Sequence, residues 1–214
     1  MTCRVLIVDD HPIVRRGLKV LIADEPGMEV CGEAGDVAGA LREFEKTHPD
    51  VVVVDLTLRG GHGLELIQKI RKRDKRVKMI VSSMHDDSLY AERALRCGAS
   101  GYVNKDEPPE RIIEATRDVL RGKIFVSPQI AERLLQRLYA GQPAEDDPLE
   151  SLTDRELEVF ELLGKGLPVK QIAQQFGLSR KTISAHRESI KTKLQLGNSH
   201  ELNRRATLWV AQGR

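Results

Sequence analysis

The chain has few cysteines, few aromatic residues and no long apolar run. Its 214 residues include three cysteines, one tryptophan and 4% aromatic residues. Cys3, Cys31 and Cys97 do not form a metal-binding spacing, and an odd number of cysteines cannot form a complete set of disulfides. A reducing, cytoplasmic setting is therefore the simplest expectation.

Three further absences exclude classes of protein. No stretch approaches the ~20 apolar residues of a membrane helix, so no membrane partner is expected. The N-terminus enters an apolar strand pattern directly, without the basic region, apolar core and cleavage site of a secretory signal. A glycine-rich loop followed by Lys and Ser or Thr is also missing, which argues against a nucleotide-binding enzyme.

The net charge of +2 is unevenly distributed along the chain. Residues 151–214 hold 11 Lys and Arg against 6 Asp and Glu, a net charge of +5. Residues 1–150 hold 23 against 26, a net charge of −3. An acidic front part and a basic back part indicate two modules with different partners.

The first part alternates short apolar runs with segments of helical period, which predicts a doubly wound parallel sheet. The predicted strands are Arg4–Val8, Glu29–Glu33, Val51–Val54, Val77–Ser82 and Gly101–Val103. Residues 129–140 have a helical period, 141–148 have none, and only helical patterns follow from residue 149. These patterns predict one domain over 1–124, a linker with a helix over 125–148, and a second domain over 149–214.

Two of the predicted strands end on acidic residues. Asp9 and Asp10 follow the first strand, and Asp55 follows the run Val51–Val54. Ligands of an open parallel sheet bind beyond the carboxyl ends of its strands. If these two strands are neighbours, three carboxylates converge there and repel one another. Mg²⁺ suits such a site because it prefers carboxylate, phosphate and water oxygens. The alternative is that Asp simply favours turns at strand ends.

The last part of the chain has the pattern of a helix-turn-helix. Thr153 and Glu156 fit a capping box that opens one helix. A short helix then ends at Gly177, and Ser179 is a good N-cap for the next helix. Two short helices joined by a glycine-containing turn are typical of this motif.

The second helix of the motif is locally basic. Five cations lie between residues 180 and 193 against one acid, Glu188. Cations suit DNA phosphates, and short side chains permit a close approach to base edges. The alternative is a merely solvated face. The predicted DNA-contacting residues are Arg180, Lys181, Thr182, Ser184, Ala185, His186, Arg187, Glu188, Lys191 and Lys193.

The final helical segment carries Leu202, Ala206 and Trp209, the only tryptophan of the chain. These side chains either pack under the helix-turn-helix or form a two-fold contact between two copies. The second alternative has a physical basis because helix-turn-helix proteins commonly read paired half-sites as dimers. The sequence leaves both open.

Two sets of these residues resemble known domains. The first set resembles the receiver domain of response regulators: Val5–His11, Val54–Leu56 with Gly60 and Gly63, Ser83, and Gly101–Lys105. The second set resembles a LuxR-type helix-turn-helix: Leu152–Glu156, Lys170–Ala173, Leu178-Ser179, Thr182-Ile183, His186 and Lys193-Leu194. Both in this order are typical of NarL/FixJ response regulators.

The resemblance implies a fold, a site and partners. The fold is a five-stranded, flavodoxin-like receiver followed by an all-α, four-helix LuxR-type domain. The implied site has Asp55 as phosphoacceptor, Mg²⁺ held by Asp9, Asp10, Asp55 and the backbone carbonyl of Thr57, and Ser83, Tyr102 and Lys105 as the phosphoryl-stabilising and switch residues. The implied protein is a DNA-binding transcription regulator and not an enzyme. Its expected partners are a sensor histidine kinase, double-stranded promoter DNA with paired half-sites, RNA polymerase, and a second copy when phosphorylated or on DNA.

The sequence departs from the family pattern in two places. Leu58–Gly61 replaces the Met-Pro-Gly that often follows the phosphoacceptor, and Arg59 adds a cation there. Ser184 and Glu188 stand where relatives often carry Lys, which leaves the base preference open. Whether phosphorylation would release the recognition helix or drive dimer formation is also open.

Two rival functions follow from the same residues. A Mg²⁺-dependent phosphatase commonly needs a second acid two residues after the nucleophile, and Thr57 occupies that position. A DNA-binding protein could instead use its first domain only as a dimerisation platform. The complete acidic set together with Ser83 and Lys105 argues against that rival.

Overall fold

The structure is a computed structural model that describes residues 2–59, 61–84, 87–140 and 148–211. The chain divides into two compact units, Met1–Glu132 and Arg133–Arg214. The domain boundaries at 124 and 149 that the sequence suggests stay predictions. Within the described ranges, none of the helices combines the length and the apolar character needed to cross a bilayer.

The first unit alternates strands and helices. In chain order its elements are β1 (Cys3–Val8), α1 (Pro12–Ala23), β2 (Met28–Ala34), α2 (Val37–Thr47), β3 (Val51–Val54), β4 (Thr57–Leu58), β5 (Gly61–His62), α3 (Gly63–Arg73), β6 (Lys78–Ser83), α4 (Asp87–Cys97), β7 (Gly101–Asn104) and α5 (Arg111–Leu120), and α6 (Pro128–Ala140) follows. Five of the strands form one parallel sheet in the order β2-β1-β3-β6-β7. The predicted fold class is confirmed, and each predicted strand lies within one residue of its observed position.

Both faces of the sheet are buried. Val5 and Ile7 of β1 pack with Val51 and Val53 of β3 in a cluster that α1 and α5 cover. The alternate residues point to the other face because successive strand side chains alternate. They are buried as well, with Leu6, Val52 and Val54 at 0% exposure. Burial on two sides explains why these strands are continuous apolar runs and not alternating patterns.

One short element was not predicted. β4 and β5 pair antiparallel directly after Asp55, with Thr57 opposite His62 and Leu58 opposite Gly61. Strands of two residues are too short to show a period in the sequence. The small hairpin replaces a plain loop between the end of β3 and the start of α3.

The chain returns to the sheet after α5. Tyr102 N–H donates to the Phe125 carbonyl at 2.8 Å, and Phe125 N–H donates to the Ser100 carbonyl at 3.1 Å. The Arg111 guanidinium lies over the Phe125 ring, 4.7 Å from its centroid. The segment that leaves α5 is therefore bonded to β7.

The second unit is helical throughout its described part. A 3-10 turn at Pro148–Ser151 leads into α7 (Asp154–Gly164), α8 (Val169–Phe176), α9 (Arg180–Lys193) and α10 (Ser199–Ala211). These four α-helices confirm the predicted C-terminal fold. The predicted linker 141–148 falls mostly on 141–147, which lie outside the described residues, and Pro148 already belongs to the 3-10 turn.

α7 and α10 pack very closely. A Cβ at Gly164 would lie 2.4 Å from the Ala206 carbonyl oxygen, so only glycine permits this approach. Further along the same pair, the ring centroids of Phe160 and Trp209 lie 5.8 Å apart. The single tryptophan is therefore part of the interior contacts of this unit and reports on its folding.

Glu156 ties the start of α7 to the end of α9. Its Oε2 accepts from Thr153 N–H at 2.7 Å and Thr153 Oγ1 accepts from Glu156 N–H at 3.3 Å, which confirms the predicted capping box. The same carboxylate accepts from Lys193 Nζ at 2.6 Å and from Ser189 Oγ at 2.5 Å. Glu156 is only 4% exposed, so these bonds are largely shielded from water.

These bonds determine the protonation of Glu156. Burial alone would raise the pKa of its carboxyl, but the hydrogen bonds from Lys193, Ser189 and Thr153 outweigh burial and lower the pKa from 4.5 to about 2. A carboxylate with a lowered folded-state pKa stabilises the fold above its unfolded pKa and loses this contribution as the pH falls toward the folded value. The second unit should therefore weaken between about pH 4.5 and pH 2.

We predict that Glu156→Gln lowers the free energy of unfolding of the second unit by roughly 2 kcal/mol at pH 7, because the neutral amide loses the charged contact to Lys193. The difference between variant and parent should shrink as the pH is lowered from 4.5 toward 2. Denaturant unfolding of the full chain followed by Trp209 fluorescence measures both quantities.

Glu188→Gln is the matched control. Glu188 pairs with Lys191 at 2.7 Å, but its side chain is 69% exposed, so this substitution should change stability by less than about 0.5 kcal/mol. A stability difference between Glu156→Gln and the parent that is the same at pH 3 as at pH 7 would contradict the assignment.

Candidate functional site: an acidic edge and a basic helix

The two acid-bearing strands are neighbours, which is the condition for their carboxylates to converge. β1 and β3 pair in parallel with Val8 opposite Val54, and Asp55 N–H donates to the Val8 carbonyl at 2.8 Å. Asp9 and Asp55 therefore leave the sheet side by side. Their exposed fractions are 2% and 4%, which places two carboxylates in a small buried crevice.

Lys105 neutralises this crevice. It follows β7, and its N–H donates to the Ser83 carbonyl at 2.8 Å, which holds it at the carboxyl edge of the sheet. Its Nζ donates to Asp9 Oδ2 and to Asp55 Oδ2, each at 2.7 Å. One ammonium thus bridges two carboxylates that come from different strands.

The protonation of the bridge reflects opposing effects. Burial raises the pKa of Asp55 above its usual value, Lys105 counteracts this, and the charge of Asp9 adds to the rise. Burial lowers the pKa of Lys105, but the carboxylates of Asp55 and Asp9 outweigh burial, so its pKa lies above the usual value. The lysine is therefore a fixed cation, whereas one lysine leaves two carboxylates incompletely neutralised.

Gly63 allows α3 to begin directly beside Asp55. Its N–H donates to the Leu56 carbonyl at 2.7 Å, and a Cβ on it would lie 2.2 Å from the Asp55 carbonyl oxygen. Only glycine fits this approach. The Asp55 main chain is consequently held between β1 on one side and the start of α3 on the other.

Four side chains form a group of possible metal ligands. Atoms of Asp9, Asp10, His11 and Asp55 all lie within 4.8 Å of one another. Asp10 Oδ1 is buried and lies 2.7 Å from His11 Nδ1. Three carboxylates at one edge fit a hard divalent cation, because such a cation supplies positive charge that Lys105 alone does not. The donor set therefore fits Mg²⁺.

Two arginines at this edge were not identified as site residues from the sequence. Arg15 of α1 donates from an Nη to the Asp9 carbonyl at 2.7 Å and thereby fixes the turn that carries both acids. Arg59 is mostly exposed, and its Nε lies 3.9 Å from Asp10 Oδ2, so the cation noted in the sequence does lie near the site. The helical period of α1 places Arg15 on the sheet side, but no sequence pattern names its acceptor.

The predicted switch residues lie at the same edge. Ser83 ends β6, is fully buried, and is registered with Asn104 on β7. Tyr102 on β7 is 2% exposed. Thr57 lies in β4, and its N–H donates to Asp55 Oδ1 at 3.3 Å. These positions agree with the roles that the sequence suggests and leave the roles themselves as proposals.

The second candidate site is the helix-turn-helix of α8 and α9. Gly177 ends α8 in the left-handed conformation, with φ of 63°. Ser179 caps α9 by accepting from Thr182 N–H at 3.0 Å. Ile183 and Ile190 are fully buried, which fixes the face that α9 turns toward solvent.

The structure divides the ten predicted DNA-contacting residues into two groups. Lys181 and its helical neighbours face solvent, and the exposed members are Arg180, Lys181, Ser184, Ala185, Glu188 and Lys193. Thr182, His186, Arg187 and Lys191 are half-buried.

Contacts within the unit occupy several members of the set. Lys193 Nζ is held by Glu156, and Lys191 pairs with Glu188. Burial lowers the pKa of the His186 imidazole below its usual value. Among the described residues, Arg180 and Lys181 at the start of α9 form no ion pair and are exposed, whereas Arg187, which also forms none, is half-buried.

Two of the three α10 residues considered for a dimer contact belong to the core of the second unit. Leu202 and Ala206 are both 0% exposed, and the Trp209 ring packs against Phe160 in a tilted arrangement. The core-packing alternative therefore describes Leu202 and Ala206, which have no free surface for a second copy. The apolar spacing could not distinguish these alternatives, because a stripe buried inside a unit and a stripe at a dimer contact share the same period.

Comparisons with known proteins match both of the regions that carry these candidate sites. The family model of the response regulator receiver domain matches residues 5–117, and the model of bacterial regulatory proteins of the luxR family matches residues 150–206. The nitrate/nitrite response regulator protein NarP of Escherichia coli is 36% identical over 193 residues, which cover 90% of this chain and 89% of NarP.

Two solved structures of RcsB extend the likeness. One is RcsB of Salmonella enterica serovar Typhimurium bound to promoter rprA in the presence of phosphomimetic BeF3⁻. It is 27% identical to this chain, with a TM-score of 0.63, and the match covers 97% of this chain and 99% of the RcsB chain. A structure of two RcsB dimers bound to two parallel DNAs is 28% identical, with a TM-score of 0.59, and covers 95% and 97%. With its receiver domain and its LuxR-type DNA-binding domain, this chain belongs to the NarL/FixJ family of two-component response regulators.

Proposed function

We propose that Asp55 accepts a phosphoryl group from a phosphohistidine of a sensor histidine kinase, and that the resulting aspartyl phosphate controls sequence-specific DNA binding by α9 and hence transcription. The observation that carries the proposal is the Lys105 bridge, which holds a buried carboxylate beside a fixed cation at 2.7 Å. The β4–β5 hairpin follows Asp55 in the chain, and Gly63 lets α3 begin directly beside it.

The transfer step follows from the carboxylate chemistry. An Asp55 oxygen attacks phosphorus, the P–N bond to the imidazole breaks, and the leaving imidazole nitrogen retains the bonding electron pair and takes up a proton. Catalysis of such a transfer depends mainly on positioning and on charge neutralisation. Lys105 would follow the new phosphoryl oxygens, since its ammonium is already shared between Asp55 and Asp9.

We further propose that Asp9, Asp10, Asp55 and the Thr57 carbonyl hold Mg²⁺. When bound, Mg²⁺ would supply positive charge to the transferring phosphoryl oxygens. The support is the donor set itself, in which the Asp9 and Asp55 carboxylates are buried. Arg15 keeps the two acidic residues after β1 in place through the Asp9 carbonyl.

The signal is proposed to leave the site through Ser83 and Tyr102. Phosphorylation adds a charge of about −1.5 to −2 and strong hydrogen-bond acceptors. The Ser83 hydroxyl would bind the new phosphoryl group, and Tyr102 would change rotamer as Ser83 moves. Because Tyr102 N–H is bonded to Phe125, a shift of β7 would reach the segment that leads to α6.

For DNA binding we propose that the exposed start of α9 enters the major groove. Arg180 and Lys181 would contact phosphates, while Ser184 and Ala185 are short enough to let the helix approach base edges. Lys193 is better placed as an anchor, because Glu156 holds its ammonium at 2.6 Å. Residues with mixed exposure, such as His186 and Arg187, are proposed at the border of the interface.

The remaining partners are part of the same proposal. Since RcsB is described as dimers on DNA, we propose a homodimer on paired half-sites, formed on phosphorylation or on DNA. If α10 contributes, it would use exposed side chains such as Leu208, which is 51% exposed. We also propose RNA polymerase as a partner. We propose a cytoplasmic location as well, because the three cysteines are free.

We predict that Asp55→Asn abolishes phosphoryl uptake from a small phosphodonor such as acetyl phosphate in the presence of Mg²⁺, because an amide is a poor nucleophile. Phosphate-affinity electrophoresis of the full chain measures the uptake. Chelation of Mg²⁺ should reduce uptake by the parent protein as well.

The control is Asp50→Asn, which makes the same chemical change at the opposite end of β3, where Asp50 accepts from Arg4 N–H. This variant should take up phosphoryl groups like the parent. Uptake by Asp55→Asn equal to that of the parent would refute Asp55 as the acceptor.

We predict that Lys181→Ala weakens binding to duplexes of any sequence to a similar extent and reduces the slope of log K against log salt by about one, because one phosphate contact is lost. Fluorescence anisotropy with a labelled duplex at several salt concentrations gives the slope.

Lys193→Ala provides the comparison on the same helix. The salt slope of this variant should equal that of the parent. Its stability, measured by Trp209 fluorescence, should fall, because Lys193 Nζ donates a hydrogen bond to the Glu156 carboxylate. If the salt slope fell equally in the two variants, the proposed division of α9 into DNA contacts at its start and an anchoring lysine at its end would be wrong.

A further inference from the structure

His11 lies beside the acidic crevice, where its main chain forms the N-cap position of α1 and its imidazole contacts the Asp10 carboxylate. It directly precedes α1, yet its imidazole forms no cap with that helix. Its Nδ1 lies 2.7 Å from Asp10 Oδ1 and 3.4 Å from Asp9 Oδ1, and its side chain is 61% exposed. A nitrogen donor therefore stands at the open side of a group of carboxylates that are otherwise mostly buried.

We propose that His11 Nδ1 is an additional metal ligand, and that it makes this site prefer transition-metal ions such as Mn²⁺ and Co²⁺ over Mg²⁺. This inference rests on the proposed function, because the same carboxylates hold the ion. It concerns the class of ion that accompanies phosphorylation and not the phosphoacceptor itself.

The separations of the donors fit one ion. Neighbouring ligands of an octahedral ion with bonds of about 2.1 Å lie about 3 Å apart. The imidazole nitrogen is 2.7 Å and 3.4 Å from the two carboxylate oxygens, and all four donors lie within 4.8 Å of one another. Small rotations of exposed His11 would bring its nitrogen to a shared ion without moving the strands.

The main chain already holds His11 in position. His11 N–H donates to Asp9 Oδ1 at 2.8 Å, and Arg15 holds the Asp9 carbonyl from the other side. Only the imidazole has to turn. Because the ring is exposed whereas Asp9 and Asp55 are buried, an ion arriving from solvent would meet His11 and Asp10 first.

The chemistry of the donor decides the preference. A site made only of oxygen ligands suits Mg²⁺, Ca²⁺ and Mn²⁺, whereas an imidazole nitrogen favours later first-row ions. Affinity for a given nitrogen-containing site rises from Mn²⁺ to Co²⁺. Loss of the imidazole should therefore affect Co²⁺ most, Mn²⁺ less and Mg²⁺ least.

The test is isothermal titration of the tag-free full chain with MgCl₂, MnCl₂ and CoCl₂. In His11→Gln, an oxygen can replace the nitrogen donor. We expect Co²⁺ affinity to fall by about tenfold, Mn²⁺ affinity by a few-fold, and Mg²⁺ affinity by less than about twofold. His200→Gln, which changes an exposed histidine of the second unit, should leave all three affinities unchanged.

A spectroscopic readout identifies the ligand directly. Pulsed electron paramagnetic resonance of the Mn²⁺-loaded parent should show ¹⁴N modulation from a bound imidazole, and His11→Gln should lose it. Absence of this modulation in the parent, or a Co²⁺-to-Mg²⁺ affinity ratio that is the same in parent and His11→Gln, overturns the inference.

Asp10→Asn separates this result from failure of the proposed function. If all three ions bind Asp10→Asn as tightly as they bind the parent, the proposed carboxylate site is wrong. In that case neither the proposed Mg²⁺ site nor the proposed role of His11 stands. If Asp10→Asn weakens all three ions while His11→Gln weakens none, the site stands and only the role of His11 is refuted.

Discussion

The first unit depends on an electrostatic constraint. Carboxylates are buried at the carboxyl edge of its sheet, and their negative charge has to be compensated there. Parallel pairing of β1 and β3 brings Asp9 and Asp55 together, and the Lys105 ammonium donates to both carboxylates at 2.7 Å. Asp10 adds a third carboxylate, which lies 2.7 Å from His11 Nδ1. The remaining charge imbalance makes the edge receptive to a divalent cation and to a phosphoryl group, both of which Lys105 and the cation can stabilise together.

The second unit contains the same kind of contact, a buried carboxylate compensated by a lysine. A buried carboxylate, Glu156, binds the end of the basic helix α9 through Lys193 and Ser189, and so fixes the angle of that helix. The cations at the start of α9 stay exposed. One helix thereby carries a structural lysine at its end and candidate DNA contacts at its beginning, and the same residue type serves two purposes.

The sequence was sufficient where a pattern is repeated or local. The apolar runs before Asp9 and Asp55, the capping box at Thr153 and the N-cap at Ser179 all depend on neighbouring residues, and the structure confirms them. The sequence was insufficient where the structure depends on which surfaces pack against each other. The period of α10 is the same whether Leu202 faces a core or a partner, and the sequence cannot tell paired Lys193 from exposed Lys181. The hairpin of β4 and β5 has only two residues a strand, and the bond from Arg15 to Asp9 joins side chain to main chain without a motif.

The central claim is that the charge state of Asp55 determines how well α9 binds DNA. The most direct measurement determines, in the same samples, the fraction of full-length chain phosphorylated on Asp55 and the affinity for a duplex obtained by in vitro site selection. Peptide mapping after borohydride reduction of the acyl phosphate gives the fraction, and anisotropy gives the affinity. We expect the affinity to change in step with the phosphorylated fraction. An affinity that stays constant from unphosphorylated to fully phosphorylated protein would show that Asp55 does not control DNA binding by α9.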